Sequence, residues 1–282
     1  MELLLAGVVF GVLVFLLNRK ANARNKPEKD YDAVGTELKD QMEELLDRDC
    51  FFLVLQPVVD LRTGAVSCGE VLTRLDHPER GVICPDLFLP VIDALELHSR
   101  FDRYIFQKCC AWLSRAGEMD NGMGRISCNF SRKTLTEETL VPDLIRIADR
   151  YGIAPSRLAI EITEREEAKD REKLIGNLKQ LKAAGFWIYL DDFGHGVTSV
   201  HDLMHYPLDI VKLDRSLLLN THTEQGAAGF KALVGMVRQL GLGVVCEGIE
   251  TETQNRIARE SGCNFGQGFL FFHPKPVCTD GS

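Results

Sequence analysis

The sequence lacks the features of several specialised protein classes. Its nine cysteines are odd in number and include no C-x-x-C pair, which argues against a disulfide framework and against a zinc knuckle. Positive charge is also scarce, since 33 lysines and arginines stand against 41 aspartates and glutamates, for a net charge of −8. An acidic chain is a poor candidate for tracking a nucleic-acid backbone. We therefore expect buried free thiols, no nucleic-acid polymer as partner, and local cations wherever an anionic ligand binds.

Long apolar runs are equally scarce, and the one that exists lies at the N-terminus. Residues 3–17 read LLLAGVVFGVLVFLL without a charge, which is shorter than the roughly 20 residues that span a bilayer comfortably. Glu2 precedes the run, whereas four lysines and arginines follow it within residues 19–26. A signal peptide carries its positive charge before the apolar core. The pattern favours an anchor, and an interfacial segment or a cleaved signal are the alternatives.

The charge asymmetry around this run also predicts an orientation. Because positive residues stay on the cytoplasmic side, the bulk of the chain is expected in the cytoplasm behind a single-pass anchor in the inner membrane. We divide the sequence accordingly into a transmembrane helix over residues 1–18, a juxtamembrane linker over 19–33 and a folded domain over 34–282.

No solenoid repeat or low-complexity tract interrupts that domain, and one design recurs along it. A short amphipathic helix is predicted from about Val34 to Asp49, with Leu38 and Met42 on its apolar face. After it, short β-rich segments that end in a polar residue alternate with helical stretches. The segments are 65–74, 125–131, 157–164, 186–192, 209–214 and 243–250. Strands that alternate with helices predict an α/β fold with a parallel sheet, and a TIM-like (β/α)8 barrel is favoured over an open doubly wound sheet.

Polar side chains follow nearly every predicted strand. They are Glu70, Asn129, Glu161, Asp191, Asp192, Lys212 and Glu247. The carboxyl ends of barrel strands meet on one face, so these groups are expected to form a single site with five carboxylates, one amide and one ammonium. Such a cluster repels itself unless carboxylates take up protons or cations bind. Its donors are hard oxygens without histidine or cysteine, which favours two Mg²⁺ or Mn²⁺ ions over zinc.

The adjacent aspartates give this site its expected chemistry. Asp191 and Asp192 suit two metals about 3.5–4 Å apart, with one aspartate as a bridge. A two-metal site of this kind polarises a phosphoryl oxygen and activates water, and Lys212 is expected beside that water. Individual carboxylates could instead be structural ion-pair partners, and His195 in the following turn could be either a metal ligand or a solvated loop residue.

Eight short motifs occur in an order typical of one known family. They are QPVVDL, EVLTRLDHPERG, NFS, EITE, DDFGHG, PLDIVKLDRS, EGIET and GQGFLFFHP, between residues 56 and 274. The chain therefore resembles the EAL-domain cyclic di-GMP phosphodiesterases. The resemblance implies a TIM-like barrel with one antiparallel strand, and metal-dependent hydrolysis of cyclic di-GMP to linear pGpG.

The resemblance also assigns roles to individual residues. The implied metal ligands are Glu70, Asn129, Glu161, Asp191, Asp192 and Glu247. The implied catalytic groups are Lys212, which resembles the family's water-orienting lysine, together with Glu70 and Glu247. The implied substrate-binding groups are Arg74, Gln56 and Gln267. The implied supporting acids are Glu164, which steadies the loop after the aspartates, and Glu250.

The chain departs from the family pattern in the loop after the paired aspartates. DFGHGVTSV stands where the usual pattern is close to DFGTGYSSL, so that His195, Val197 and Thr198 differ. In the family this loop orders the metal site and couples it to a dimer interface, which makes a homodimer a further expectation. Val71 also replaces the alanine of the signature triplet, with little expected effect because it points away from the Glu70 face.

Two functions remain open on these grounds. The first is a cyclic di-GMP phosphodiesterase, which the complete ligand set with Lys212 favours. The second is a catalytically weak domain that acts as a cyclic di-GMP receptor or as a protein-interaction regulator, which the altered loop favours. A kinase reading of DFG fails because no Gly-rich loop or H-R-D element is present. No G-G-D-E-F string occurs, so a second, cyclase activity is not expected.

Overall fold

The computed structural model describes residues 28–116, 123–162, 170–194 and 200–277. The α-helices of these ranges are α1 (Glu28–Asp47), α2 (Pro85–Ala94), α3 (His98–Ala116), α4 (Arg132–Leu135), α5 (Leu140–Arg150), α6 (Arg171–Ala183), α7 (Val200–His205), α8 (Arg215–Leu219), α9 (Glu224–Gln239) and α10 (Glu252–Ser261). The strands are β1 (Phe51–Asp60), β2 (Val66–His77), β3 (Gly81–Ile83), β4 (Arg125–Phe130), β5 (Leu158–Ile162), β6 (Trp187–Phe193), β7 (Ile210–Leu213), β8 (Gly243–Cys246), β9 (Phe265–Gly266) and β10 (Lys275–Pro276). Short 3₁₀ turns cover Pro155–Arg157 and Asn220–His222.

Eight of these strands close into a barrel. Their neighbour order is β1–β2–β4–β5–β6–β7–β8–β9, and β9 pairs back onto β1. The pairs from β2 through β9 are parallel, whereas β1 runs antiparallel to both of its neighbours. Strands β3 and β10 add short antiparallel extensions at the margin. The predicted TIM-like barrel with one antiparallel strand is confirmed.

The observed strands also locate the errors of the sequence-based prediction. Each of the six predicted segments overlaps an observed strand. The antiparallel strand β1 was not among them because it carries an almost unbroken apolar run with Pro57 in its middle, a residue that argues against a central strand. The helix α1 begins at Glu28, so residues 28–33 of the predicted linker are helical.

Alternation along the strands builds two cores of different composition. The larger core lies between barrel and helices; it includes Leu158, Ile160 and Ile162 of β5, all fully buried. The smaller core fills the barrel itself, where Ala159 of the same strand belongs to a second cluster. Because side chains alternate with a period of two, the next inward residue of β5 is Glu161. The barrel interior therefore changes from apolar to charged within one step of a strand.

The N-terminal helix is fixed to the barrel at the hairpin that β2 and β3 form. The two residues predicted on its apolar face, Leu38 and Met42, are both buried, which confirms the predicted amphipathic face. Glu37 forms an ion pair with Arg80, and Gln41 hydrogen-bonds the His77 ring at 2.8 Å. Since β2 also carries Glu70, this helix braces a strand that contributes directly to the site described below.

The predicted transmembrane segment, residues 1–18, lies outside the described residues. Among the helices that the structure does describe, none is long and apolar enough to cross a membrane. The eight described cysteines are free thiols, and six of them are buried. The expectation of free rather than disulfide-bonded cysteine is therefore met throughout this part of the chain.

Candidate active site

Lys212 lies at the centre of the barrel's carboxyl-terminal mouth. Strand β7 carries it, and only 2% of the residue is exposed to solvent. Its Nζ atom lies 3.0 Å from Glu70 Oε2, 2.5 Å from Glu161 Oε1, 2.9 Å from Asp191 Oδ1 and 2.8 Å from Glu247 Oε1. Four strands thus deliver one carboxylate each to a single ammonium group.

Side-chain amides complete the surroundings of Glu70. Gln267 Nε2 donates to Glu70 Oε2 at 2.7 Å and to Gln56 Oε1 at 3.2 Å, and Asn129 Nδ2 donates to Glu70 Oε1 at 3.2 Å. Gln56 faces Glu70 directly across the antiparallel pairing of β1 and β2. Because Asn129 uses its amide nitrogen in the hydrogen bond to Glu70, its amide oxygen can coordinate a cation. Gln267 Oε1 is buried and accepts no hydrogen bond from the described residues.

A local irregularity of β6 explains how two consecutive aspartates serve one site. Adjacent side chains of a regular strand point to opposite faces. Here the register of β6 against β7 shifts between Leu190 and Phe193, and Asp192 adopts a left-handed backbone conformation with φ of 54°. Aspartate tolerates that region better than most residues. A bulge of this kind re-aims a side chain, and Asp191 and Asp192 consequently line the same cavity.

The carboxylates form two overlapping groups of three. Oxygen atoms of Glu70, Glu161 and Asp191 lie within 4.8 Å of one another, and so do those of Asp191, Asp192 and Glu247. Asp191 belongs to both groups, which is the position expected of a bridging ligand. Glu161 Oε2 is buried and accepts no hydrogen bond from any described residue. An all-oxygen donor set with such an unsatisfied atom fits hard divalent cations such as Mg²⁺ or Mn²⁺.

Burial and mutual repulsion set the charge state of this cluster. Burial raises the pKa of Glu161 to about 8, with Lys212 opposing the shift and Glu70 and Asp191 adding to it. Burial likewise raises the pKa of Asp191 and, strongly, that of Glu247. Without metal, protons therefore neutralise part of the cluster near neutral pH.

Two members of the cluster keep their charge instead. Burial pushes the pKa of Glu70 upward, but Lys212 and the amide donors outweigh it, so that this pKa is lowered. For Lys212, burial opposes the charged form, yet Asp191, Glu161 and the other carboxylates hold its pKa well above the ordinary value. Lys212 is thus an ammonium ion near neutral pH.

A cavity of about 270 Å³ opens above the cluster and adds groups that the sequence analysis did not assign. Arg215 lines it and pairs with Glu250, Nη1 to Oε1, at 2.9 Å. Phe269 lines it as well and is 39% exposed. A guanidinium and an aromatic ring at the same opening suit a ligand that combines a phosphate with a planar base.

The strand ends are shaped so that these groups reach the cavity. Asp214 accepts a hydrogen bond from Ser216 N at 2.8 Å and so begins α8 directly after β7, which brings Arg215 next to the cavity. Gly248 has a φ of 66°, and a Cβ there would lie 2.5 Å from the Arg215 side chain. Glycine after Glu247 is therefore required for the close approach of these two loops.

Some predicted residues lie apart from the cavity or beyond the described chain. Arg74 is half-buried on β2, donates to the Thr73 carbonyl at 2.8 Å, and is not among the residues that line the cavity. Glu164 and His195 lie outside the described residues, as does the rest of the altered loop, 195–199. Their roles stay predictions.

Comparison with known proteins gives one consistent family. The sequence profile described as EAL domain matches residues 39–274. MucR of Pseudomonas aeruginosa, named a bifunctional diguanylate cyclase/cyclic di-GMP phosphodiesterase, is 31% identical over 268 residues, which are 95% of this chain and 38% of that protein. The probable cyclic di-GMP phosphodiesterase PdeA of Escherichia coli K12 is 30% identical over 233 residues, which are 82% of this chain and 31% of that protein.

Solved structures agree with this result. The structure described as PaMucR phosphodiesterase in complex with c-di-GMP matches with a TM-score of 0.79 at 31% identity, covering 86% of this chain and 98% of the other. The curated relatives are longer proteins, and this chain spans 27% to 40% of the lengths of those it matches best.

Proposed function

The chain belongs to the EAL domain family, and from that premise we propose that it hydrolyses one phosphodiester bond of cyclic di-GMP to give linear pGpG. The observation that carries the proposal is the convergence of five carboxylates, Asn129 and Lys212 at one barrel mouth. The names of MucR and PdeA describe this activity in related proteins. A protein that only binds the dinucleotide has no need of an ammonium buried among metal-binding carboxylates, and this argues against the receptor alternative.

We propose further that the acidic cluster holds two Mg²⁺ or Mn²⁺ ions. Their ligands would be Glu70, Asn129, Glu161, Asp191, Asp192 and Glu247. When bound, such ions stabilise the charge that develops on a phosphoryl group and lower the pKa of water. The side chains of the protein contribute positioning and a dry, charged environment, since Glu70, Glu161 and Asp191 are buried.

The remaining residues act on the substrate and on the attacking water. Lys212 orients that water, and its positive charge favours loss of the water proton. Arg215 and Arg74 offset the negative charge of the two phosphates, and Phe269 offers its exposed ring to a guanine base. Gln267, whose Oε1 is free of hydrogen bonds from the described residues, accepts one from substrate or water. Glu250 keeps Arg215 in position through their ion pair.

We also propose that residues 3–17 anchor the protein in the inner membrane with the barrel in the cytoplasm, and that the barrel forms a homodimer. The support for the anchor is the sequence pattern alone: an uncharged run followed by positive residues. Fractionation of cells that express the full chain tests the anchor, and recovery mainly in the soluble fraction contradicts it. Light scattering of the purified chain tests the dimer, and a monomer mass contradicts it.

One experiment separates enzyme from receptor. The full chain is incubated with cyclic di-GMP and Mg²⁺ or Mn²⁺, and the products are separated by chromatography. We expect pGpG to accumulate with either ion and to be absent in excess EDTA. Calorimetric binding of cyclic di-GMP without any pGpG, under all of these conditions, would overturn the proposed hydrolysis and support the receptor.

A further inference from the structure

We propose that Lys212 is the built-in cation of this site, which holds the acidic cluster together until metal ions bind. The proposal rests on the proposed function only in taking the cluster as the metal site. It gives Lys212 a second role, separate from any action on water. In the metal-free protein, Lys212 keeps the carboxyl ends of the barrel strands together.

The geometry that carries this inference is the convergence of four strands on one atom. Glu70 comes from β2, Glu161 from β5 and Asp191 from β6, while Glu247 follows directly after β8, and each places an oxygen within 3.0 Å of Lys212 Nζ. Within the part of the chain that the structure describes, no second lysine or arginine pairs with any of these four carboxylates. Lys212 is therefore the charge that links these strands at their carboxyl ends.

Burial makes that link necessary. Only 3% of the Lys212 side chain and none of the Glu161 side chain is exposed. Removing one partner of a buried ion pair is strongly destabilising because an uncompensated charge stays behind. Here one ammonium serves the whole cluster, so its loss would leave the Glu70 carboxylate without its cation inside the barrel, where little water screens a charge.

The ammonium nevertheless satisfies the cluster incompletely, which is why a stronger cation can take over. It has three N–H donors for four carboxylates. Its contact with Glu70 is a hydrogen bond, whereas Glu161 Oε1 and Asp191 Oδ1 pair with it by distance but without hydrogen-bond geometry. The second Glu161 oxygen, Oε2, is buried, lies outside this ion pair and accepts no hydrogen bond from the described residues, so the cluster keeps an acceptor for a cation. A divalent ion carries twice the charge of the ammonium and can bind several carboxylate oxygens at once.

The test compares stability with and without metal in a lysine variant. Lys212→Met removes the charge and keeps most of the side-chain volume. In EDTA we expect the Tm of the full-length variant to fall by about 10 °C relative to wild type. At saturating Mg²⁺ most of that deficit should disappear, because the ions then supply the missing positive charge. Lys108→Met is the matched control, since Lys108 is a largely buried lysine that pairs with a single, exposed carboxylate among the described residues, that of Asp49; its deficit should be small and unchanged by Mg²⁺.

A second substitution tests whether charge, rather than packing, is the cause. Adding Glu70→Gln to Lys212→Met removes the carboxylate that accepts the Lys212 hydrogen bond and keeps its shape. We expect the double variant to recover at least half of the lost Tm in EDTA. If Lys212→Met alone cannot be purified, the double variant can still be measured, because its barrel mouth carries less uncompensated charge.

Three outcomes overturn the proposal. They are a Lys212→Met deficit in EDTA no larger than that of Lys108→Met, a large deficit that Mg²⁺ leaves untouched, and a double variant that melts no higher than the single one or fails to fold. All of these readouts are melting temperatures without cyclic di-GMP. A failure here is therefore distinct from a failure of the proposed hydrolysis, which the pGpG assay measures.

Discussion

Two layers of side chains share the inside of the barrel and differ in almost every physical property. The lower layer is apolar or weakly polar and contains Cys68, Ala159, Tyr189, Ile210 and Val245. The upper layer contains Glu70, Glu161, Asp191, Lys212 and Glu247. Each upper residue follows a lower one by two positions, on the same strand or, for Glu247, just past its end, so that one period of the strand separates a packed core from a site with four carboxylates.

The difference teaches how a barrel can hold a cluster that is unfavourable by itself. Charged groups out of contact with water cost free energy unless they are paired. The lower layer and the larger core outside the barrel fix the strands. The strands then hold the carboxylates close together in spite of their mutual repulsion. The proposed function thus depends on the upper layer, at the carboxyl face where the active sites of such barrels lie.

The largest effect should come from removing a carboxylate of the upper layer. Glu70→Ala deletes a proposed metal ligand and the common partner of Lys212, Gln267 and Asn129. We expect pGpG formation to fall by at least about a thousandfold, since both metal binding and the position of Lys212 are affected. Chromatographic assay at saturating Mg²⁺, with circular dichroism as a check on folding, measures this. Turnover within tenfold of wild type would contradict the role of Glu70.

Removing the ammonium should cost less in turnover and little in substrate binding. Lys212→Ala leaves every proposed metal ligand in place. Interactions made chiefly in the transition state lower kcat more than they change KM, and loss of one such electrostatic group typically costs about 10²–10³ in rate.

The assay for Lys212→Ala is run at saturating Mg²⁺, so that the metals compensate the lost charge. We expect binding of cyclic di-GMP within a few-fold of wild type by calorimetry, and turnover slower by at least about a hundredfold. Near-normal turnover would show that another group orients the water. Equal binding by both proteins with no pGpG from either would favour the receptor.

A substitution in the lower layer should reverse the pattern. Ile210→Ala empties part of the apolar layer directly below Lys212 and touches none of the proposed ligands. Large-to-small changes of this kind cost about 2–5 kcal/mol of stability. The activity of the folded fraction should stay within a few-fold of wild type, as urea unfolding and a metal-saturated assay on the same preparation would measure. A loss of activity as large as that of Lys212→Ala would mean that the two layers are mechanically coupled.

The two layers also differ in how far the sequence could predict them. The upper layer was predicted almost completely, because a charged residue that ends an apolar run marks the carboxyl end of a strand. The paired aspartates were expected to act together, but the bulge that allows it depends on the register between β6 and β7, which periodicity does not contain. The lower layer has no such signal, since an inward valine and an outward valine look alike in a strand that is buried on both faces.

Arg215 shows the same limit at the rim of the cavity. It belongs to one of the recognised motifs, yet it lies on a helix that follows β7, and its partner Glu250 lies 35 positions later. Their contact depends on the pairing of β7 with β8. A predicted barrel implies that these strands are neighbours, but it does not say which residues after them meet. The feature that could have identified Arg215 is its position: an arginine that begins a helix two residues after the end of the strand that carries a site lysine.

The smallest expected effect is a pH dependence that only the upper layer can produce. The pKa of Glu161 is raised from 4.5 to about 8, first by burial, and those of Asp191 and Glu247 are raised as well. Between pH 4.5 and about pH 8, Glu161 keeps a proton in the folded state that it has already released in the unfolded state. Its stabilising contribution is therefore complete below about pH 4.5 and is lost as pH rises through about 8. The stabilisation from Lys212, whose pKa is raised, is lost only at higher pH. The stabilisation from Glu70, whose pKa is lowered, is lost only in acid.

We therefore expect the metal-free protein to lose stability between about pH 6 and about pH 8.5, which a falling Tm would show. The unfolding free energy should decrease by at most about 1.4 kcal/mol per pH unit for each proton. Bound ligands must be deprotonated, so the stabilisation by Mg²⁺ should grow over the same interval. Glu161→Gln, which cannot titrate, should flatten both trends, whereas Ile210→Ala should lower the Tm at every pH by a similar amount. Melting curves in EDTA and in Mg²⁺ at the two pH values decide this. A metal-free Tm that rises with pH, or a slope that Glu161→Gln leaves unchanged, would mean that these carboxylates are already ionised without metal.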